Sequence, residues 1–96
     1  MTAPAARKPT LSLRLYIAGN APNSLRALAN AKALCEAQFA TRYELEVVDL
    51  LKEPERALKD AIVVTPTLLK LRPLPVQRII GNLSDTEQLL LTLETE

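Results

Sequence analysis

Apolar and polar residues alternate from Leu11 to Ala18. Leu11, Leu13, Leu15 and Ile17 fall on one side, and Ser12, Arg14, Tyr16 and Ala18 on the other. A period of two over eight residues predicts a β-strand. Gly19-Asn20-Ala21-Pro22-Asn23-Ser24 breaks it. Gly and Asn tolerate unusual φ, Pro suits a first helical turn, and Asn20, Asn23 and Ser24 are all able to cap. From Leu25 to Phe39 the step becomes three and four: Leu25, Leu28, Ala31, Cys35 and Phe39 form one stripe of a predicted helix, with Arg26, Asn30 and Glu36 off it. Thr41 to Tyr43 connects to a second strand, Glu44 to Leu50, whose Glu44, Glu46 and Asp49 suit a solvated sheet edge. Lys52 to Asp60 predicts a short helix or turn, with Pro54 in its first turn. Thr67 to Leu71 and Val76 to Ile80 predict two more strands, and Arg72-Pro73-Leu74-Pro75 between them is short enough to make an antiparallel hairpin. After Gly81-Asn82, Ser84-Asp85-Thr86-Glu87 is a capping box with Ser84 at the cap, opening a helix whose apolar face is Leu89, Leu90 and Leu93. Met1 to Thr10 carries no period and is expected to be a flexible arm, which leaves one domain over residues 11–96.

The predicted order is βαβαββα. The strand-helix-strand start implies a parallel pair with a right-handed crossover. A parallel pair followed by an antiparallel hairpin gives a mixed four-stranded sheet of expected order 2-1-3-4. Pro66 lies between Thr65 and Thr67 where the third strand begins. Proline cannot lie inside a central ladder but can start a strand, and X-Pro is the one bond where a cis peptide is cheap. This arrangement resembles the thioredoxin-like fold, which implies a cis bond at Pro66. In redox members of that group the turn after the first strand holds two cysteines; here it holds Asn and Pro.

Composition narrows the chemistry. Ninety-six residues with 48% hydrophobic content form one small core, and with Tyr16, Phe39 and Tyr43 as the only aromatics that core is aliphatic. A net charge of +1 gives no electrostatic footprint for nucleic acid or an anionic membrane. No apolar run approaches the roughly 20 residues a bilayer span needs, and the first residues lack a signal-peptide core. A cytoplasmic protein is expected. There is no histidine, and one cysteine excludes an internal disulfide or a CxxC pair. Cys35 lies on the helix stripe, away from the helix start that would activate a thiol, and is expected to be buried and inert. The three carboxylates of the second strand, with no histidine or ligand loop, do not make a metal site. One glycine without lysine after the first strand is not a phosphate-binding loop. No catalytic, cofactor or metal residues are expected, and a thiol enzyme built on Cys35 alone is disfavoured.

Four collinear segments carry a closer resemblance. Leu15-Tyr16-Ile17-Ala18-Gly19-Asn20-Ala21-Pro22-Asn23-Ser24, Val48-Asp49-Leu50-Leu51-Lys52, Thr65-Pro66-Thr67-Leu68 and Arg78-Ile79-Ile80-Gly81-Asn82-Leu83-Ser84 are similar to KaiB circadian-clock proteins. The match runs from about Leu13 to Leu93. It implies a non-enzymatic protein that binds the ATPase ring of KaiC, competes there with the clock kinase SasA and sequesters KaiA. The family is also metamorphic. One packing is a tetramer-forming ground state of order βαββααβ; the other is the monomeric thioredoxin-like form that binds KaiC.

Departures from the family pattern bear on which packing this chain prefers. Where the family has Gly-Leu-Asp near its end, this chain has Thr92-Leu93-Glu94. Thr92 is β-branched where glycine would permit more backbone conformations, a penalty on the ground state of about 1 kcal/mol or more. The capping box favours a helix in the same segment, and the chain stops at Glu96 without the longer acidic tail of clock members. The expectation is a resting thioredoxin-like monomer. Pro66, Gly19, Gly81 and Thr92 are the candidate structural and switch positions. Arg26, Lys70 and Arg78 match basic positions implicated in family interactions and are the candidate partner-binding residues. Glu46 stands where the family usually offers lysine, and this reversed charge puts KaiC affinity in doubt. The alternative role is that of a KaiB paralogue binding another partner in stress or signalling.

Overall fold

The computed structural model describes residues 11–40 and 42–94. The N-terminal arm and the first residue of the Thr41–Tyr43 connection lie outside the described residues. Seven elements follow in the expected order: β1 (Leu11–Ile17), α1 (Pro22–Gln38), β2 (Tyr43–Asp49), α2 (Pro54–Lys59), β3 (Thr67–Arg72), β4 (Gln77–Ile80) and α3 (Thr86–Glu94). The sheet order is β2-β1-β3-β4. β1 pairs in parallel with β2 and antiparallel with β3, and β3 and β4 form the antiparallel hairpin. Thr65–Pro66 is cis, as the junction implied; Arg72–Pro73 and Leu74–Pro75 are cis as well.

The alternation in β1 sorts its side chains between two cores. Leu11, Leu13 and Leu15 face α1 and α3, where Ala27, Ala31, Leu34 and Cys35 of α1 and Leu89 and Leu93 of α3 close over them. Tyr16 points to the other face, into a smaller cluster with Val48, Leu69 and Ala57 of α2. β1 and β3 are therefore covered on both sides.

Helix α1 departs from its reading in phase and start. It begins at Pro22, in the first turn where a missing N–H costs nothing. No side chain caps it. Ser24 instead accepts a hydrogen bond from the Ala18 N–H at 3.1 Å and is buried. The buried face is Ser24, Ala27, Ala31, Leu34 and Cys35, so Leu25 falls outside it and is 50% exposed. The two stripes share Ala31 and Cys35, and Leu28 and Phe39 still pack partly buried against the core, but the fully buried face is turned toward the smaller Ser24 and Ala27.

Helix α3 starts one residue later than the capping box placed it. The cap is Asp85, whose Oδ1 accepts from the Gln88 N–H at 3.1 Å, while the Ser84 N–H donates to Asn82 Oδ1 at 3.1 Å. Asp85 and Gln88 have the same cap-to-third-residue spacing as Ser84 and Glu87, so the sequence offered two overlapping starts.

Candidate functional site

Two constellations stand out: the end of the sheet around Pro66, and a charged array beneath α2. At the first, β1, β2, β3 and β4 bring their connecting turns together. Gly19, at φ +55°, donates its N–H to Asp49 Oδ1 at 3.1 Å, and the same oxygen accepts from the Leu51 N–H at 3.0 Å. A side chain at Gly19 would meet both the unfavourable φ and the Leu51 methyl, 3.2 Å from an added Cβ. Across the sheet, the Gly81 N–H donates to the Pro66 carbonyl at 3.1 Å, and the Thr67 hydroxyl to the Val64 carbonyl at 2.7 Å. The four turn segments are thus tied in two pairs, the Gly19 turn to the end of β2 and the Gly81 turn to the entry of β3. Leu51, Val63, Val64 and Ile80 are exposed on them, Val63 at 88%.

The second constellation follows from the β1–β2 register. Arg14 is paired with Glu46, and Tyr16 with Val48, so these side chains share the α2 face. Arg14 donates to Glu46 Oε1 at 2.9 Å and to Asp60 Oδ2 at 2.9 Å. Arg56 of α2 reaches Glu46 Oε2 at 2.7 Å and Glu53 at 3.6 Å. The Tyr16 hydroxyl lies 2.6 Å from Asp60 Oδ2 and 2.9 Å from the Arg56 carbonyl. Hydrogen bonds from Arg56 and then Arg14 hold the Glu46 carboxyl down to about 2. Burial pushes the Asp60 carboxyl up, but hydrogen bonds from Tyr16 and Arg14 outweigh it and leave it below the usual range. Burial, reinforced by Asp60, pushes the Tyr16 hydroxyl up to about 12. Among the described residues no buried side-chain nitrogen or oxygen lacks a hydrogen-bond partner.

β2 is the edge strand its acidic residues predict, with Glu44 and Glu46 exposed, and this array adds partners to that reading. Glu46 bridges two arginines and Asp49 braces the Gly19 turn. Sequence reasoning missed the array because the alternation placed Arg14 on the polar side of β1 without naming its neighbours. The signal was the shared phase of Arg14 and Tyr16 in one strand with Glu44 and Glu46 in the next.

The three candidate partner-binding residues are not gathered on one surface. Arg26 is exposed on α1. Arg78 is exposed on β4, on the opposite side of the sheet, where its guanidinium donates to the Asp60 and Ala61 carbonyls at 2.9 and 3.1 Å. Lys70 is fully buried in β3, on the α1/α3 face. That placement corrects its reading as a surface contact, because β3 is an inner strand and both its faces are covered. Cys35 is buried, and burial pushes its thiol up to about 11, away from a reactive thiolate at neutral pH.

The sheet order, the hairpin and the cis bond before β3 define a thioredoxin-like protein, with no cysteine in the turn between β1 and α1. Chloroplastic thioredoxin z superposes on 94% of the chain with a TM-score of 0.74, covering 82% of its own length at 17% identity. The N-terminal domain of Synechococcus elongatus SasA matches over 100% of this chain and 96% of its own, with a TM-score of 0.72 and 28% identity. The KaiB domain profile matches residues 14–95. The circadian clock oscillator protein KaiB of Synechococcus elongatus is 52% identical over 87 residues, spanning 91% of this chain and 85% of the relative. Its counterpart from Prochlorococcus marinus (strain MIT 9515) is 53% identical over 90 residues, spanning 94% and 82%. The chain belongs to the KaiB family of circadian-clock proteins.

Proposed function

We propose that this protein docks on the KaiC ATPase ring in the packing described here, competes there with SasA, and sequesters KaiA, so regulating the phosphorylation cycle of KaiC without catalysing a reaction itself. The observation that carries the reading is identity above half to clock KaiB along nearly the whole chain, in a packing that also superposes on the SasA N-terminal domain from end to end. Two proteins of one shape can contend for one site. The exposed Leu51, Val63, Val64 and Ile80 around Pro66, with Arg26 and Arg78 to either side, supply apolar area and positive charge for a partner.

The same reading includes a second packing of order βαββααβ, forming a tetramer. The monomeric thioredoxin-like form is the resting one. Support comes from the last segment. Thr92 stands in α3 with its hydroxyl donating to the Gln88 carbonyl at 3.0 Å, and Leu89 and Leu93 are buried against β1. Gly19, Pro66 and Gly81 occupy the turns between elements, where a change of packing bends the chain. The protein works in the cytoplasm.

The test is binding of the dye-labelled chain to purified KaiC rings by fluorescence anisotropy, with the SasA N-terminal domain as competitor. Saturable binding that SasA displaces is the expected result. Absence of binding at any accessible ring concentration overturns the partner assignment. A tetramer by light scattering, with the last segment in a sheet by NMR, overturns the resting form.

A further inference from the structure

Helix α2 has little apolar attachment. It is six residues long, it has no side-chain N-cap, and Ala57 is its one buried residue. Leu58 is 81% exposed, and Val63 and Val64 beyond it are exposed too. Apart from Ala57 and the partly buried Ile62, which pack on the Tyr16, Val48 and Leu69 cluster, what ties the segment to the sheet is polar and comes from three strands. β2 sends Glu46 to Arg56; β1 sends Arg14 and Tyr16 to Asp60; β4 sends Arg78 to the Asp60 and Ala61 carbonyls.

We propose that this array is a latch that holds residues 53–62 on the sheet, with Glu46 as its central tie, and that it sets how often the segment lifts off while the α1/α3 face stays packed. Glu46 is central because its two oxygens serve different guanidiniums, one from β1 and one from α2. Without its charge, Arg14 keeps Asp60 but β2 loses its ionic hold on α2, leaving the Val48 and Ala57 contact of the apolar cluster. Arg14, Arg56 and Lys59 line one recess with Tyr16 and Asp60, and Glu46 and Glu53 balance them from β2 and the loop before α2. Neutralising Glu46 leaves an excess of positive charge in that group, which opposes closure.

The consequence for switching rests on the proposed function. In βαβαββα and βαββααβ the first three elements coincide and the last four differ. The latch joins β1 and β2 of the shared part to α2, the first element that changes. Glu46 then acts within the chain as a bias toward this packing.

Hydrogen exchange of the full chain tests the latch. The Asp60, Ala61 and Ile62 amides donate to the Arg56, Leu58 and Ala57 carbonyls and report on the segment. In Glu46→Gln they are expected to exchange about tenfold faster or more, while amides within α1 keep their rates. The wild-type chain gives a second reading that no variant can spoil: raising salt to about 1 M, where the screening length falls to about 3 Å, should speed the same amides selectively. Unchanged Asp60–Ile62 rates in both experiments sink the proposal, as does acceleration of α1 in step with them, which would mean the domain opens as one unit. Failure of KaiC binding with the exchange pattern intact would overturn the proposed function and leave the latch standing.

Discussion

The two faces of the sheet are held by different forces. On the α1/α3 face, fully buried leucines from β1, β3 and α3 meet a 17-residue helix over its small side chains. On the α2 face a short helix covers Tyr16, Val48 and Leu69, and ion pairs complete the attachment. β1 supplies both: its odd residues are Leu11, Leu13, Leu15 and Ile17, and its even residues are Ser12, Arg14 and Tyr16. Salt does not screen apolar burial and mild acid does not titrate it, whereas exposed ion pairs are weakened by both. One sheet therefore carries a face of fixed packing and a face whose hold on its helix can be tuned by charge.

Breaking the apolar side should have the largest effect. Leu15 is fully buried among the α1/α3 contacts, so Leu15→Ala is expected to lower stability by about 3 kcal/mol, read as a fall in the urea midpoint. A loss below about 1 kcal/mol would mean that this face is not the principal core. Tyr16→Phe sharpens the contrast from the other side. It keeps the ring in its cluster and removes the hydroxyl that faces Asp60 and the Arg56 carbonyl. The expected loss is about 1 kcal/mol, with Arg14 still holding Asp60. Equal losses for the two variants would erase the distinction between the faces.

Acid gives the smallest and most selective effect. Glu46 and Asp60 are both more acidic in the folded chain than in the unfolded one, so their contribution is complete above the ordinary carboxylate range, near pH 4.3. It declines as the pH falls from about 5 toward the folded value of Glu46, about 2. The side chain of Glu46 is 43% exposed, and solvent screening keeps the effect modest. Thermal unfolding followed against pH should show stability falling through this window in wild type and less steeply in Glu46→Gln. Parallel curves would mean Glu46 does not contribute.

Several features read from sequence were placed one step away from where the chain puts them. Ser84 and Asp85 both fit a helix cap; Asp85 takes the Gln88 N–H, while Ser84 is held in the preceding turn by Asn82 Oδ1. Leu25 and Ser24 both fit a helical stripe; Ser24 is the buried one, where its hydroxyl accepts from the Ala18 N–H. Lys70 follows three apolar-compatible positions in β3 and carries a charge, so its local pattern points outward. Its complete burial depends on which strands flank β3 and which helices cover them.

Local pattern alone determined the seven elements, their order, the parallel start and antiparallel finish of the sheet, and the proline junction at β3. Each depends on residue type and spacing within one short segment. Family membership was legible too, because its motifs are local and collinear. The tertiary structure decided the partners of Glu46 and Asp60. Those contacts join residues 32 and 46 positions apart, and they exist because the β1–β2 register and the crossing of α2 set Arg14, Glu46, Arg56 and Asp60 on one face. Alternation states that a side chain leaves the core, but register and packing decide what it meets there.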